Sequence, residues 1–173
     1  MLTGGTQEHL AYIVDDLDAA ISDVAARFGA GPFIVLDDVP LENLRSSEEP
    51  AEFAHSTAFG QCGDVPIELM QIHRCSPAAV ERGFQLGVTP RLHHVAFAVP
   101  DLEAAVAEVE HAGLPSYLRG NLGEIRISFH DAAPLLGHDL ELHQDGEEFR
   151  GFFAMVREAS EGWDGRDPIR RPT

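Results

Sequence analysis

The hydrophobic and polar positions along the chain spell one pattern twice. Glu8-His9-Leu10-Ala11-Tyr12-Ile13-Val14-Asp15-Asp16-Leu17 returns as His93-His94-Val95-Ala96-Phe97-Ala98-Val99-Pro100-Asp101-Leu102, with 85 positions between His9 and His94. Each copy reads as a short apolar strand, an acidic cap and a helix. The register holds through the helices, where Leu17, Ala20, Ile21 and Val24 match Leu102, Ala105, Val106 and Val109. Each set forms one apolar stripe at helical spacing. Gly29-Ala30-Gly31-Pro32 stops the first helix, and Gly113 stops the second.

After its helix the first copy predicts strands over Pro32–Val39, Glu52–Gln61 and Val65–Ile72. Pro40 to Pro50 is polar and acidic, and reads as an exposed loop. Phe53, His55, Thr57 and Phe59 share one face of the third strand by period-2 alternation. The second copy predicts strands over Pro115–Arg119, Glu124–His130 and His138–Gln144. Between the copies, His73–Arg91 is a connector with a short helix over Pro77–Gln85. Met1–Gln7 reads as a lead-in. Phe149, Phe152, Phe153 and Val156 give Asp145–Ser160 an amphipathic pattern, followed by a polar tail anchored by Trp163. The fold expected is α+β, with two tandem βαβββ modules forming a curved mixed sheet around a trough. The first module with its connector spans residues 1–85, the second 86–148, and the C-terminal helix and tail 149–173.

Composition narrows the partners. The formal net charge is −17, and all 12 basic residues are arginine. Such a chain repels phosphate backbones, which speaks against nucleic acid. Without lysine, Schiff-base chemistry on a lysine amine is excluded. Cys62 and Cys75 form no CxxC pair and read as reduced thiols. No apolar run approaches the roughly 20 residues that span a bilayer. The expectation is a soluble cytoplasmic protein acting on a small molecule; a homodimer is compatible with it.

The chemistry sits in the repeat. Ile67-Glu68-Leu69-Met70-Gln71 aligns with Leu140-Glu141-Leu142-His143-Gln144, so a glutamate between large apolar residues recurs in both fourth strands. Alternation turns Glu68 and Glu141 toward the trough, and His9 and His94 begin the matched first strands. Two histidines and two carboxylates suit one divalent metal: Zn, Ni, Co, Mn or Fe rather than calcium. A lone strand histidine or glutamate is ordinarily a packed or solvated residue, but recurrence of both types at matched places points to a site. Neighbours on a strand face opposite sides, so the 85-residue offset selects His94 and places His93 outward. His143 is a candidate acid–base or substrate-binding group, and Met70, Phe53 and His55 are candidate pocket residues. His73, His111, His130 and His138 read as surface residues. Arg119 and Arg126 lie on strands, where surface exposure is the simpler reading and service to an anionic substrate the alternative.

Over residues 8 to 144 these motifs resemble the vicinal oxygen chelate superfamily, which includes glyoxalase I, methylmalonyl-CoA epimerase, bleomycin-resistance proteins and extradiol dioxygenases. The resemblance implies four ligands from the first and fourth strands of each module, here His9, Glu68, His94 and Glu141. The His, Glu, His, Glu order is similar to glyoxalase I, whereas the epimerase has Gln where this chain has Glu68. It implies a metal-dependent lyase or isomerase that transfers a proton next to a metal-bound carbonyl. Repeat symmetry does not choose between the two glutamates; Glu141 is the leading base because His143 beside it can accept or relay the proton, whereas Glu68 has only Met70, and Glu68 is the alternative. The competing readings are a metal-free sequestering protein of the bleomycin-resistance type and a ring-cleaving dioxygenase.

Overall fold

A computed structural model describes residues 4–172 of the chain. The first strand starts earlier than expected, so β1 is Thr6–Ile13; of the lead-in, Met1–Thr3 lie outside the described residues. The Asp16 side chain accepts from the Ala19 N–H at 2.9 Å and so caps α1, Leu17–Phe28. Gly29 ends α1 in the left-handed region, with φ 65°, where a Cβ would be strained. β2 (Phe33–Leu36) follows. Pro40–Pro50 is not a loop: β3 (Leu41–Ser46) and β4 (Glu49–Pro50) form a hairpin. Its residues are mostly exposed, so no apolar alternation announces it.

The first module closes with β5 (Glu52–Cys62) and β6 (Val65–Ser76). α2 (Ala78–Phe84) crosses to the second module, which comprises β7 (Arg91–Val99), α3 (Leu102–His111), β8 (Ser116–Leu122), β9 (Ile125–His130) and β10 (Asp139–Gln144). A one-turn helix, α4 (Ala133–Leu136), interrupts the last connection. α5 (Glu147–Ser160) and a two-residue strand, β11 (Ile169–Arg170), end the chain; neither α4 nor β11 is expected from the pattern.

All strands belong to one curved, unclosed mixed sheet of order β11-β2-β5-β6-β1-β7-β10-β9-β8-β3-β4. Each module contributes four adjacent strands, with its first and fourth parallel, and β1 pairs with β7 antiparallel at the join. The repeat persists in detail. Gln71 Oε1 accepts from the Leu17 N–H and Gln144 Oε1 from the Leu102 N–H, tying each fourth strand to its module's helix. On the convex side, α1 buries Leu17 and Ile21, while α3 buries Leu102, Ala105, Val106 and Val109. Each fully buried Leu or Ile of this kind contributes about 1.5–3 kcal/mol.

The modules also exchange segments. The β3–β4 hairpin leaves the first module and pairs with β8 of the second. α5 returns from the second module to pack Phe153 and Val156 against Phe59 of β5. On the concave side, Phe53, Phe84, Tyr117 and Phe129 form an inner core. No helix among the described residues is long and apolar enough to cross a membrane.

Candidate metal centre

The join of β1 and β7 places His9 opposite Ala96 and His94 opposite Ala11. Directly opposed residues share a face, so both imidazoles stand on the concave side with only alanine between them. The parallel neighbours bring Glu68 beside Ala11 and Glu141 beside Ala96. Small residues at the centre and large ones around it therefore converge four side chains from four adjacent strands. One potential ligand atom from each lies within 4.8 Å of all the others, and all four residues are buried. His94 Nε2 is 2.9 Å from Glu141 Oε2 and 3.5 Å from Glu68 Oε2; His9 Nε2 is 3.3 Å and 3.7 Å from the same two oxygens, Glu68 nearer. The cluster is complete within a single chain.

Burial alone would neutralise these groups. It raises both glutamates, but the contacts from His9 and His94 outweigh it and hold Glu68 well below the usual carboxylate range; His94 lowers Glu141 from its usual value. Burial lowers the histidines, yet Glu68 and Glu8 lift His9 to about 10, and Glu141 and Glu68 raise His94. In this form the cluster is two imidazolium–carboxylate pairs of zero net charge. A divalent cation replacing the two ring protons keeps that balance, because ligand imidazoles must be neutral. The donor set fits such an ion. His9 Nε2 and His94 Nε2 point into the cluster and, among the described residues, neither makes an aligned hydrogen bond.

The outer contacts differ between the pairs. Thr57 Oγ1 donates to Glu68 Oε1 at 2.5 Å, with the Leu69 carbonyl as a second acceptor at 3.1 Å. No hydroxyl or amide among the described residues donates to Glu141. His94 Nδ1 lies 2.9 Å from His93 Nδ1. His93 Nε2 in turn lies 3.3 Å from the Tyr117 hydroxyl, which donates to Asp139 Oδ2 at 3.1 Å.

His93 is thus not outward. Ala11 opposes His94 and the next residue, Tyr12, opposes Leu92, so His93 is an extra residue in a β-bulge. The bulge breaks strict alternation and puts both rings on one side, where each meets Phe129. Phe84 of α2 stacks on the His93 ring, which is fully buried. Burial and the neighbouring His94 and Arg91 push its pKa well down, so it is neutral. A second bulge in β1 makes Glu8 the counterpart of His93.

A cavity of about 350 Å³ opens onto the cluster. Met70, Phe53 and His55 are in its wall, with Thr57 and Phe59 from the same face of β5. His143 is not in the wall. Its Nε2 lies 2.7 Å from Glu8 Oε2, and Phe149 of α5 packs over its ring. His130 is not a surface residue either: it lies buried on β9, with Nδ1 3.0 Å from the Leu114 carbonyl and Nε2 2.9 Å from Ser128 Oγ. Arg119 and Arg126 both pair with Glu103 on α3, outside the cavity. Residues 149, 152 and 148 of α5 also line the cavity, and nothing in an amphipathic tail indicates where it docks.

A family model described as the Glyoxalase/Bleomycin resistance protein/Dioxygenase superfamily matches residues 8–129, which include His9, Glu68 and His94. Among solved structures, the chain is similar to methylmalonyl-CoA epimerase from Mycobacterium tuberculosis, with 20% identity, 87% of this chain and 93% of that chain covered, and a TM-score of 0.52. It is similar to a hypothetical protein from Bacillus halodurans, with 19% identity, 83% and 96% covered, and a TM-score of 0.53. At these identities the likeness is one of fold. No curated protein matches the sequence.

Proposed function

Because the chain belongs to the glyoxalase, bleomycin-resistance protein and dioxygenase superfamily, we propose that it is a metal-dependent lyase or isomerase that moves a proton on the carbon beside a substrate carbonyl. The observation that carries this reading is the convergence of His9, Glu68, His94 and Glu141 at the foot of the cavity. These four residues would hold the ion. When bound, a divalent cation supplies a Lewis acid that polarises a carbonyl and stabilises negative charge developing on its oxygen.

The protein's own part is to hold and move the proton. Glu141 is the base: its carboxylate takes the proton as the C–H bond breaks, the electron pair stays in the substrate, and the proton returns to the same or the neighbouring carbon. Glu68 is less suited, because the Thr57 hydroxyl fixes one of its oxygens. Glu141 has no such tether, and it is ionised, as a base must be. Phe59 and Phe129, opposite the two glutamates, keep bulk water from the exchanging proton.

The test is deuterium incorporation. Metal-loaded protein is incubated in D₂O with small compounds bearing an acidic C–H beside a carbonyl. The parent places deuterium at that carbon, and Glu141→Gln that still retains metal does so about 10²–10⁴-fold more slowly. Equal rates in Glu141→Gln with loss in Glu68→Gln reverse the two roles. Turnover with oxygen consumed and no exchange overturns the mechanism.

A further inference from the structure

The cavity that leads to the cluster has an unusual chemistry for an acidic protein built on arginine. No arginine lines it, and the chain has no lysine. Arginines pair with acids elsewhere, among them Arg119 and Arg126 on Glu103, Arg74 on Glu52, Arg150 on Asp145, and Arg171 on Asp18 and Asp37. Away from the cluster, the lining is aliphatic: Leu36, Val39, Leu41, Leu122, Ile125 and Ile127, with Leu41 of β3 paired to Leu122 of β8. Phe149 and Phe152 of α5 close a side.

The polar groups in the wall are already committed or uncharged. The Thr57 hydroxyl is taken by Glu68 and the Leu69 carbonyl. His55 stacks on Phe53, with ring centroids 4.3 Å apart, and burial holds it neutral, its pKa lowered to about 4. Its Nδ1 has no hydrogen-bond partner among the described residues. Among the described residues, the one further charged side chain in the lining is Glu148, an acid. Away from the cluster, an anionic group on a ligand would therefore meet apolar wall and negative charge, with no cationic side chain to pair it.

Resting on the proposed metal-dependent reading, we infer that the substrate is a compact molecule with an uncharged aromatic or branched-alkyl body and its oxygens at one end. It carries no phosphate, carboxylate or peptide handle inside the cavity. The oxygen-bearing end faces the cluster, and the body fills the volume lined by the leucine and isoleucine side chains. Cavities of this size and composition bind through apolar contact, with a few polar groups setting orientation.

Hydroxamates separate the two claims, because they present two adjacent oxygens to a metal while the rest of the molecule varies freely. Zinc-loaded protein is titrated calorimetrically with acetohydroxamate, benzohydroxamate and 4-carboxybenzohydroxamate. Benzohydroxamate binds about 30-fold or more tighter than acetohydroxamate, from the apolar area its ring buries. The added carboxylate abolishes that gain. Equal affinity for the methyl and phenyl compounds, or a gain that survives the carboxylate, overturns the inference and leaves the metal reading intact. Failure of all three to bind protein whose zinc is verified by elemental analysis overturns both.

Discussion

The two third strands line opposite sides of the same cavity, and they are not alike. β5 presents Phe59, Thr57 and His55, whereas β9 presents Phe129, Ile127 and Ile125. Phe59 pairs with Glu68 and Phe129 pairs with Glu141, so the phenylalanines are matched by register. Two residues earlier the modules part: the Thr57 hydroxyl donates to Glu68, while the matched place on β9 holds Ile127, which has no donor. The repeat supplies four matched candidate ligands, and the third strands make the two glutamates inequivalent: Thr57 anchors one carboxylate, and no such hydroxyl holds the other. In the proposed reading that difference assigns the proton to Glu141. The same asymmetry runs outward, since the space beyond Phe129 is filled by Phe84, Tyr117 and His93.

The comparison breaks most visibly at Thr57. Thr57→Val keeps the shape and removes the donor, leaving a buried carboxylate with one contact fewer. The metal-free protein should lose about 1.5–3 kcal/mol of unfolding free energy. Ile127→Val, at the matched place, should lose about 0.5–1.5 kcal/mol from packing alone. Denaturant melts of the two variants decide the point, and equal losses would mean that the hydroxyl is not holding Glu68.

A second contrast is His55 against Ile125. His55 is neutral in the fold, with its pKa lowered to about 4, against about 6.5 in the unfolded chain. As pH falls through this window the unfolded state takes up the proton first, so stability is lost between about pH 6.5 and pH 4. Between pH 7 and pH 5 the loss is roughly 2 kcal/mol from this residue. His55→Gln should remove that part of the acid sensitivity, read as the difference in unfolding free energy between the two pH values. An unchanged difference would show that His55 titrates normally. The converse change lies on β9. Ile127→Thr gives Glu141 a tether of its own and should slow deuterium exchange by about 10-fold, the worth of one hydrogen bond to a charged group.

Much of this was legible in the residues. No insertion separates strand from helix in either module, so the 85-residue offset holds from His9 to Val24 and identifies both strands, both helices and both histidines. The fourth strands keep the glutamate between large apolar neighbours, because each must fill a core on its outer side. The offset then fails, since Phe59 and Phe129 are only 70 apart. The β3–β4 hairpin accounts for the change: its strands pair at an edge, carry polar residues on both faces, and have no periodicity to betray them. His93 was hidden for a related reason. Alternation assumes an unbroken ladder, and a bulge is decided by pairing across β1 and β7 rather than by the local sequence. His130 and His143 were misplaced because α5 and the segment around Leu114 cover them, and packing of that kind has no local signature.

In the proposed reading, His9, Glu68, His94 and Glu141 form one metal centre in a single chain. The most direct measurement is metal content by elemental analysis after exhaustive dialysis of the parent and of His94→Ala. The account predicts about one divalent ion per chain in the parent and close to none in His94→Ala, with folding of the variant verified by circular dichroism. Equal content in the two proteins, whether near zero or near one, would contradict it.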